Sequence, residues 1–143
     1  MKTLARLVYR SDSAISHDDV PALDAIFRAS VRNNTRDRIT GALALPDGKF
    51  IQAIEGEPRA VDDLMQRLRA DSRHANIDVL GQWPISARLF GGWAMARPDP
   101  TPLGEQAFRI ATERGSGAQV VGILAAMNQQ DDAGAFFGVP ALR

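Results

Sequence analysis

The segment ITGALALPDGKFIQAI, residues 39–54, holds two runs of apolar residues joined by Pro46-Asp47-Gly48. Asp-Gly between two such runs marks a tight hairpin, because its turn needs backbone with positive φ and glycine adopts that at no steric cost. Residues 39–45 and 49–54 are therefore expected to be neighbouring antiparallel strands. Alternation within the second run puts Phe50, Gln52 and Ile54 on one face and Ile51 and Ala53 on the other.

On each side of this hairpin the apolar period changes from two to three or four. Upstream, Leu23, Ile26, Phe27, Ser30 and Val31 recur at helical spacing. Ser16 is the expected N-cap, Asp18 and Asp19 suit the positive end of the dipole, and Pro21 is tolerated in the first turn. Asn33-Asn34 is the expected C-terminal stop. Downstream, Glu57-Pro58 opens a second amphipathic helix carrying Val61, Leu64, Met65 and Leu68, closed by Asp71-Ser72-Arg73-His74. A strand over 4–9 precedes the first helix, with Ala5, Leu7 and Tyr9 on one face and Leu4, Arg6 and Val8 on the other. Strands over 77–83 and 92–96 follow the second. The order βαββαββ, with both helices crossing one side of a mostly antiparallel sheet, predicts an α+β ferredoxin-like sandwich. Pro98, Pro100 and Pro102 end that unit, giving a domain over 1–97 and an extension over 98–143. Two short helices are expected in the extension, over 103–114 and 119–130, covering the back of the sheet. Val120, Val121, Leu124 and Met127 form the apolar stripe of the second.

Composition narrows the function classes. The 143 residues carry seventeen basic and seventeen acidic side chains, so the net charge is zero and strong steering toward nucleic acid or anionic lipid is not expected. There is no cysteine, which removes disulfides, thiolate metal sites and cysteine nucleophiles together. The two histidines, His17 and His74, are far apart in sequence and make a thin basis for a metal site. No apolar run approaches the roughly 20 residues of a membrane span. The N-terminal MKTLARLVYR alternates like a strand and lacks a signal-peptide core, so a cytoplasmic location is expected.

The informative residues are polar ones on core faces. Gln52 shares its face with Phe50 and Ile54, and an unsatisfied buried amide costs about 1–3 kcal/mol. The Tyr9 hydroxyl has the same requirement. Asn34 lies where the first helix ends, and Trp93 and Met95 share one face of the last strand. Each has a plainer reading alone: a glutamine satisfied by backbone, a core tyrosine with its tip at the surface, a helix cap, ordinary packing. Together they describe a slot with apolar walls and a few neutral donors and acceptors. That suits a planar heteroaromatic ring with carbonyl and ring-nitrogen edges, and not a phosphate or carboxylate.

Five stretches carry a resemblance: LVYRS (7–11), NNTRDRITGAL (33–43), GKFIQAIEG (48–56), DSRHANIDVL (71–80) and RLFGGWAM (88–95). In this order and spacing the chain resembles the BLUF domains, blue-light sensors that use flavin, from Leu4 to about Arg97. The resemblance implies FAD as cofactor, with FMN or riboflavin able to replace it in isolated protein. It makes Tyr9 the light-reactive tyrosine, Gln52 the switching glutamine and Asn34 the asparagine at the flavin's polar edge. Ile26 and Ser30 match ring-lining positions, with Arg32 and Asn33 near the helix end. Asp71, Arg73 and His74 match the cluster after the second helix, and Trp93 and Met95 the pair on the last strand, either of which can approach the glutamine. Val31 stands where many members carry a second basic residue, which bears on the cofactor's phosphate tail and not on the photochemistry.

In the family, light drives an electron and a proton from the tyrosine to the ring, and the glutamine rearranges by rotation or tautomerisation. The absence of cysteine agrees with this and excludes adduct photochemistry. The resemblance implies a receptor that is not an enzyme and that signals through a downstream protein or an oligomer. The last strand, joined directly to the tail helices, is the expected exit for the signal. The tail's apolar stripes favour a homo-oligomer, though covering the chain's own sheet explains them equally well. Two other readings compete. A cofactor-free interaction module on the same fold is disfavoured for RNA by few aromatics and zero net charge. A small flavin oxidoreductase or acyl-phosphate hydrolase would need an acid–base pair near a nucleophile, or a glycine-rich turn before a helix, and neither is evident.

Overall fold

In the computed structural model, which describes residues 3–16, 18–44, 48–95, 109, 113, 117–130 and 139–140, the chain runs β1 (Leu4–Ser13), α1 (Val20–Asp37), β2 (Thr40–Ala44), β3 (Lys49–Gly56), α2 (Pro58–Ala70), β4 (His74–Ile85), β5 (Trp93–Met95), α3 (Gly117–Gln130) and β6 (Val139–Pro140). Four strands form one sheet in the order β2-β3-β1-β4, every neighbouring pair antiparallel. This is the ferredoxin-like α+β arrangement that the element order predicts. The hairpin forms as expected, with Gly48 at φ +74°; its other turn residues, 45–47, lie outside the described part.

Strand alternation sorts the core into two layers. Ala5, Leu7, Tyr9 and Ile54 face the helical side, where Val61, Leu64 and Met65 of α2 close over them. Ile26 of α1 meets Leu43, Phe50 and Met95 beside them. Val8, Ala42, Ala44, Ile51 and Ala53 face the back, where Val120, Val121 and Leu124 of α3 and Phe90 cover them. Fully burying each Val, Leu, Ile, Phe or Met side chain among these contributes roughly 1.5–3 kcal/mol. The expected back cover is thus present in its second helix. Of the first, over 103–114, only residues 109 and 113 are described, and both are helical.

Several boundaries differ from the sequence reading. The N-cap of α1 is Asp19, whose carboxylate accepts from the Ala22 N–H at 3.2 Å. Ser16 instead accepts from the Asp18 N–H in the preceding turn. The helix also runs a turn past Asn34, because Arg38 adopts the left-handed conformation (φ 56°) that ends it. The Ile39 N–H then returns to the Asn34 carbonyl at 2.8 Å. Asn34 is therefore a buried member of the helix and not its cap. β5 does not extend the main sheet: it pairs with β6 in a separate ribbon and lies against α1 and β2. One of its carbonyls, that of Ala94, is taken by the Asn34 side chain at 2.9 Å. A bulge between Val8 and Tyr9 shifts the β1–β4 register by one residue at Leu80.

Candidate functional site

Tyr9 on β1 and Gln52 on β3 are directly paired in the sheet register, so their side chains rise together toward the helices. Both are buried, and the Tyr9 hydroxyl donates to Gln52 Oε1. At its other end Gln52 Nε2 points at the sulfur of Met95, 3.6 Å away. Burial, reinforced by the negative charge of Asp71, pushes the Tyr9 phenol far above its ordinary pKa of 10.0. Tyr9 is thus a neutral phenol that keeps its proton and directs it at the amide oxygen.

This pair forms the floor of a slot between α1 and α2. Ile26, Ser30, Asn33 and Asn34 of α1 line one wall, and Arg73 and His74 close the far end. Asn34 is 2% exposed; its Nδ2 is used on Ala94, and its Oδ1 accepts from no donor among the described residues. His74 is half-buried, with Nδ1 2.9 Å from Ser11 Oγ and its ring 4.5 Å from that of Phe50. Burial draws its pKa below 6.5, with Asp71 opposing and Arg73 assisting. Asp71 sits behind Arg73, which grips it through Nε at 2.9 Å. Those bonds from Arg73, against some desolvation, hold the Asp71 carboxyl at about 2.

The sequence-derived set therefore divides. Tyr9, Ile26, Ser30, Asn33, Asn34, Gln52, Arg73 and His74 come together on the slot. Arg32 is exposed on α1 and does not line it, since the helical period turns position 32 outward while 30, 33 and 34 face in. Asp71 and Met95 do not line it: Asp71 lies behind Arg73 and accepts from the His74 N–H through its carbonyl, and Met95 packs against Ile26, Leu43 and Phe50 with its sulfur at Gln52 Nε2. The side chain of Trp93 lies outside the described residues. Ala29, Leu43, Phe50, Leu64, Arg67 and Leu68 also line the slot and are absent from that set. Phe50 shares strand parity with Gln52, Leu43 is its register partner on β2, and Leu64 and Leu68 are one helical turn apart, so these were within reach of pattern reasoning. Arg67, paired with Asp37 across the two helices at 3.0 Å, had no such signal. Val31, where the resemblance leads one to expect a second basic residue, packs against the Ile26–Phe50 cluster instead.

Among the described residues no group of histidines and carboxylates could hold a metal ion, and no helix is long and apolar enough to cross a membrane. Fold and slot together define a ferredoxin-like domain with a buried phenol–carboxamide pair at a small-molecule cleft. The family model for BLUF, sensors of blue-light using FAD, matches residues 4–96, and the chain belongs to that family. It is 34% identical to BlrB, a BLUF protein whose dark-state structure superimposes with a TM-score of 0.75 over 92% of this chain and 98% of that one. A bacterial light-regulated adenylyl cyclase is 32% identical, with a TM-score of 0.69 over 78% of this chain and 34% of that one. The photoactivated adenylate cyclase subunit beta of Euglena gracilis is 34% identical over 88 residues, 62% of this chain and 10% of that protein. The chain thus spans about a tenth of the length of that curated relative.

Proposed function

We propose that this chain is a blue-light photoreceptor that holds FAD non-covalently in the slot between α1 and α2, with Tyr9 and Gln52 as its photoactive pair. The observation that carries this reading is the buried hydrogen bond from the Tyr9 hydroxyl to Gln52 Oε1 on the floor of the slot. The polar inventory fits the proposed ligand. Asn34 offers a buried amide oxygen with no donor on it among the described residues, and Gln52 has an N–H whose described partner is only a thioether. An acceptor and a donor at neighbouring points complement the N–H, carbonyl and ring-nitrogen edge of a flavin. Arg67 and Arg73 at the slot supply positive charge suited to a phosphate tail.

A bound flavin would supply blue-light absorption and, once excited, a one-electron acceptor. The chain's own residues direct the remaining steps. Tyr9 is protonated in the dark, so an electron leaves it together with its proton, and that proton is already directed at Gln52 Oε1. An amide has a donor end and an acceptor end, so rotating or tautomerising Gln52 reverses local polarity with little backbone movement. The aliphatic walls from Ile26, Leu43 and Leu64 keep water from competing for these bonds. Output would run through β5 to the helical extension over 98–143, which we read as part of the same unit, and on to a partner protein or a second copy.

The test is a light-minus-dark spectrum of the FAD-loaded chain. The parent is expected to shift reversibly to the red, whereas Tyr9→Phe and Gln52→Ala should retain flavin and lose the shift. A normal photocycle in either variant would overturn the role given to that residue.

A further inference from the structure

Three residues beyond Gln52 on β3, and on the opposite face of the sheet, a carboxylate is completely buried. Glu55 is 0% exposed. Its Oε2 accepts from Arg6 Nε and from the Leu89 N–H, each at 2.9 Å. Its Oε1 accepts from the Phe90 N–H at 2.9 Å and from Thr40 Oγ1 at 3.3 Å. Arg88 adds an outer layer, donating to Thr40 Oγ1 at 2.8 Å, to the Glu55 carbonyl at 3.0 Å and to the Arg38 carbonyl at 2.9 Å. Three consecutive residues of the β4–β5 connection are thereby tied to β2 and β3.

Burying a carboxylate is costly unless it is paired and hydrogen-bonded, and apolar packing often serves stability as well. Phe90 already supplies such packing, buried against Val8, Ala53 and Leu124. The carboxylate adds what apolar contact lacks, which is register. Two successive backbone N–H groups on one carboxylate admit a single alignment of the loop, whereas an apolar contact tolerates sliding.

That register is delivered at the slot. The Ala94 carbonyl, four residues after Phe90, is held by Asn34, and Met95 places its sulfur against Gln52 Nε2. Segment 88–95 is therefore anchored at its start on the back of the sheet and at its end on the photoactive amide.

We infer that Glu55 is a positioning residue for the photocycle: its carboxylate fixes the register of β5, and so holds the Met95 sulfur where it slows the return of the rearranged Gln52 amide. The inference rests on the reading of Gln52 as the switching amide.

The experiment tracks dark recovery after a blue pulse in the FAD-loaded full chain, for the parent, Glu55→Gln, Met95→Ala and the double variant. Glu55→Gln keeps the side chain's size but removes the charge opposite Arg6 and replaces one acceptor oxygen with a donor. It is expected to recover about fivefold faster than the parent, equivalent to roughly 1 kcal/mol in the barrier, with the red shift itself retained. In the Met95→Ala background the same substitution should change recovery by less than about 1.5-fold, because the contact through which it acts is gone. Unchanged recovery in Glu55→Gln, or full acceleration persisting without Met95, overturns the inference. Should Glu55→Gln fail to fold, Thr40→Val removes only the hydroxyl between Arg88 and the carboxylate, and the same cycle should show about twofold acceleration that also needs Met95. No light-induced shift in the parent refutes the Gln52 reading itself, and the inference with it, before any substitution is compared.

Discussion

Tyr9 and Gln52 were legible because a strand has period two: once residues 4–9 and 49–54 are read as strands, a hydroxyl and an amide on the core side stand out. Their mutual contact was not legible, since it depends on the β1–β3 register that pairs them. Glu55 and Arg6 obey the same alternation on the back face, yet sequence alone shows two ordinary charged residues near strand ends. Only the fold reveals that both are buried. His74 yields a prediction of its own. Its folded pKa is lowered, so just below its ordinary value of 6.5 the unfolded chain binds a proton that the folded chain refuses. Stability should therefore fall as pH drops through that window, and His74→Asn should flatten the slope there. Asp71 belongs to a more acidic window: the stability it contributes persists until pH falls below 3.8 toward about 2, so the two groups act apart. Denaturant midpoints measured across pH for both chains check this; an unaltered slope in His74→Asn would refute it.

Among the elements, helices and strands were readable where apolar periodicity was strong and misjudged where polar residues carry the ends. β1 continues through Ser11, Asp12 and Ser13 because its far end is held by polar pairs: Arg10 with Asp78 at 2.9 Å, and Asp12 with Lys49 at 2.7 Å and Asn76 at 2.8 Å. α1 outruns the asparagines because Arg38 supplies the left-handed residue, a role that sequence reasoning assigns first to asparagine or glycine. α3 offers the cleanest test of an element's docking. A Cβ on Gly117 would stand 2.8 Å from both the Leu80 carbonyl and Val8 Cγ1, so the helix start can approach β4 and β1 only as glycine. Gly117→Ala should cost about 1–3 kcal/mol by forcing α3 away from the sheet. At Gly122 of the same helix an added Cβ meets nothing within 4 Å, and Gly122→Ala should stabilise by roughly 0.5–1 kcal/mol. Denaturant titration of the two variants distinguishes them by sign, and equal effects would contradict this packing.

For the molecule as a whole, one sheet separates two kinds of work. Its helical face carries a slot with a phenol, a carboxamide and the buried Asn34 amide, and its back face carries an ion pair, a loop clamp and α3. The segment from Arg88 to Met95 passes from one to the other, so a change at Gln52 has a short route to the covered side. Element order alone made the two-layered fold readable. The path between faces was not, because it depends on β5 leaving the main sheet and on hydrogen bonds to backbone groups whose partners no side-chain pattern reveals. The relatives place this type of domain within much longer light-regulated proteins, in keeping with a module that converts illumination into a local rearrangement. A light-minus-dark absorption spectrum of the purified chain, reconstituted with FAD, probes that conversion directly. The expected result is a yellow protein whose flavin band moves to the red under blue light and returns in darkness. A chain that stays colourless after reconstitution, or a bound flavin whose band does not move, would contradict it.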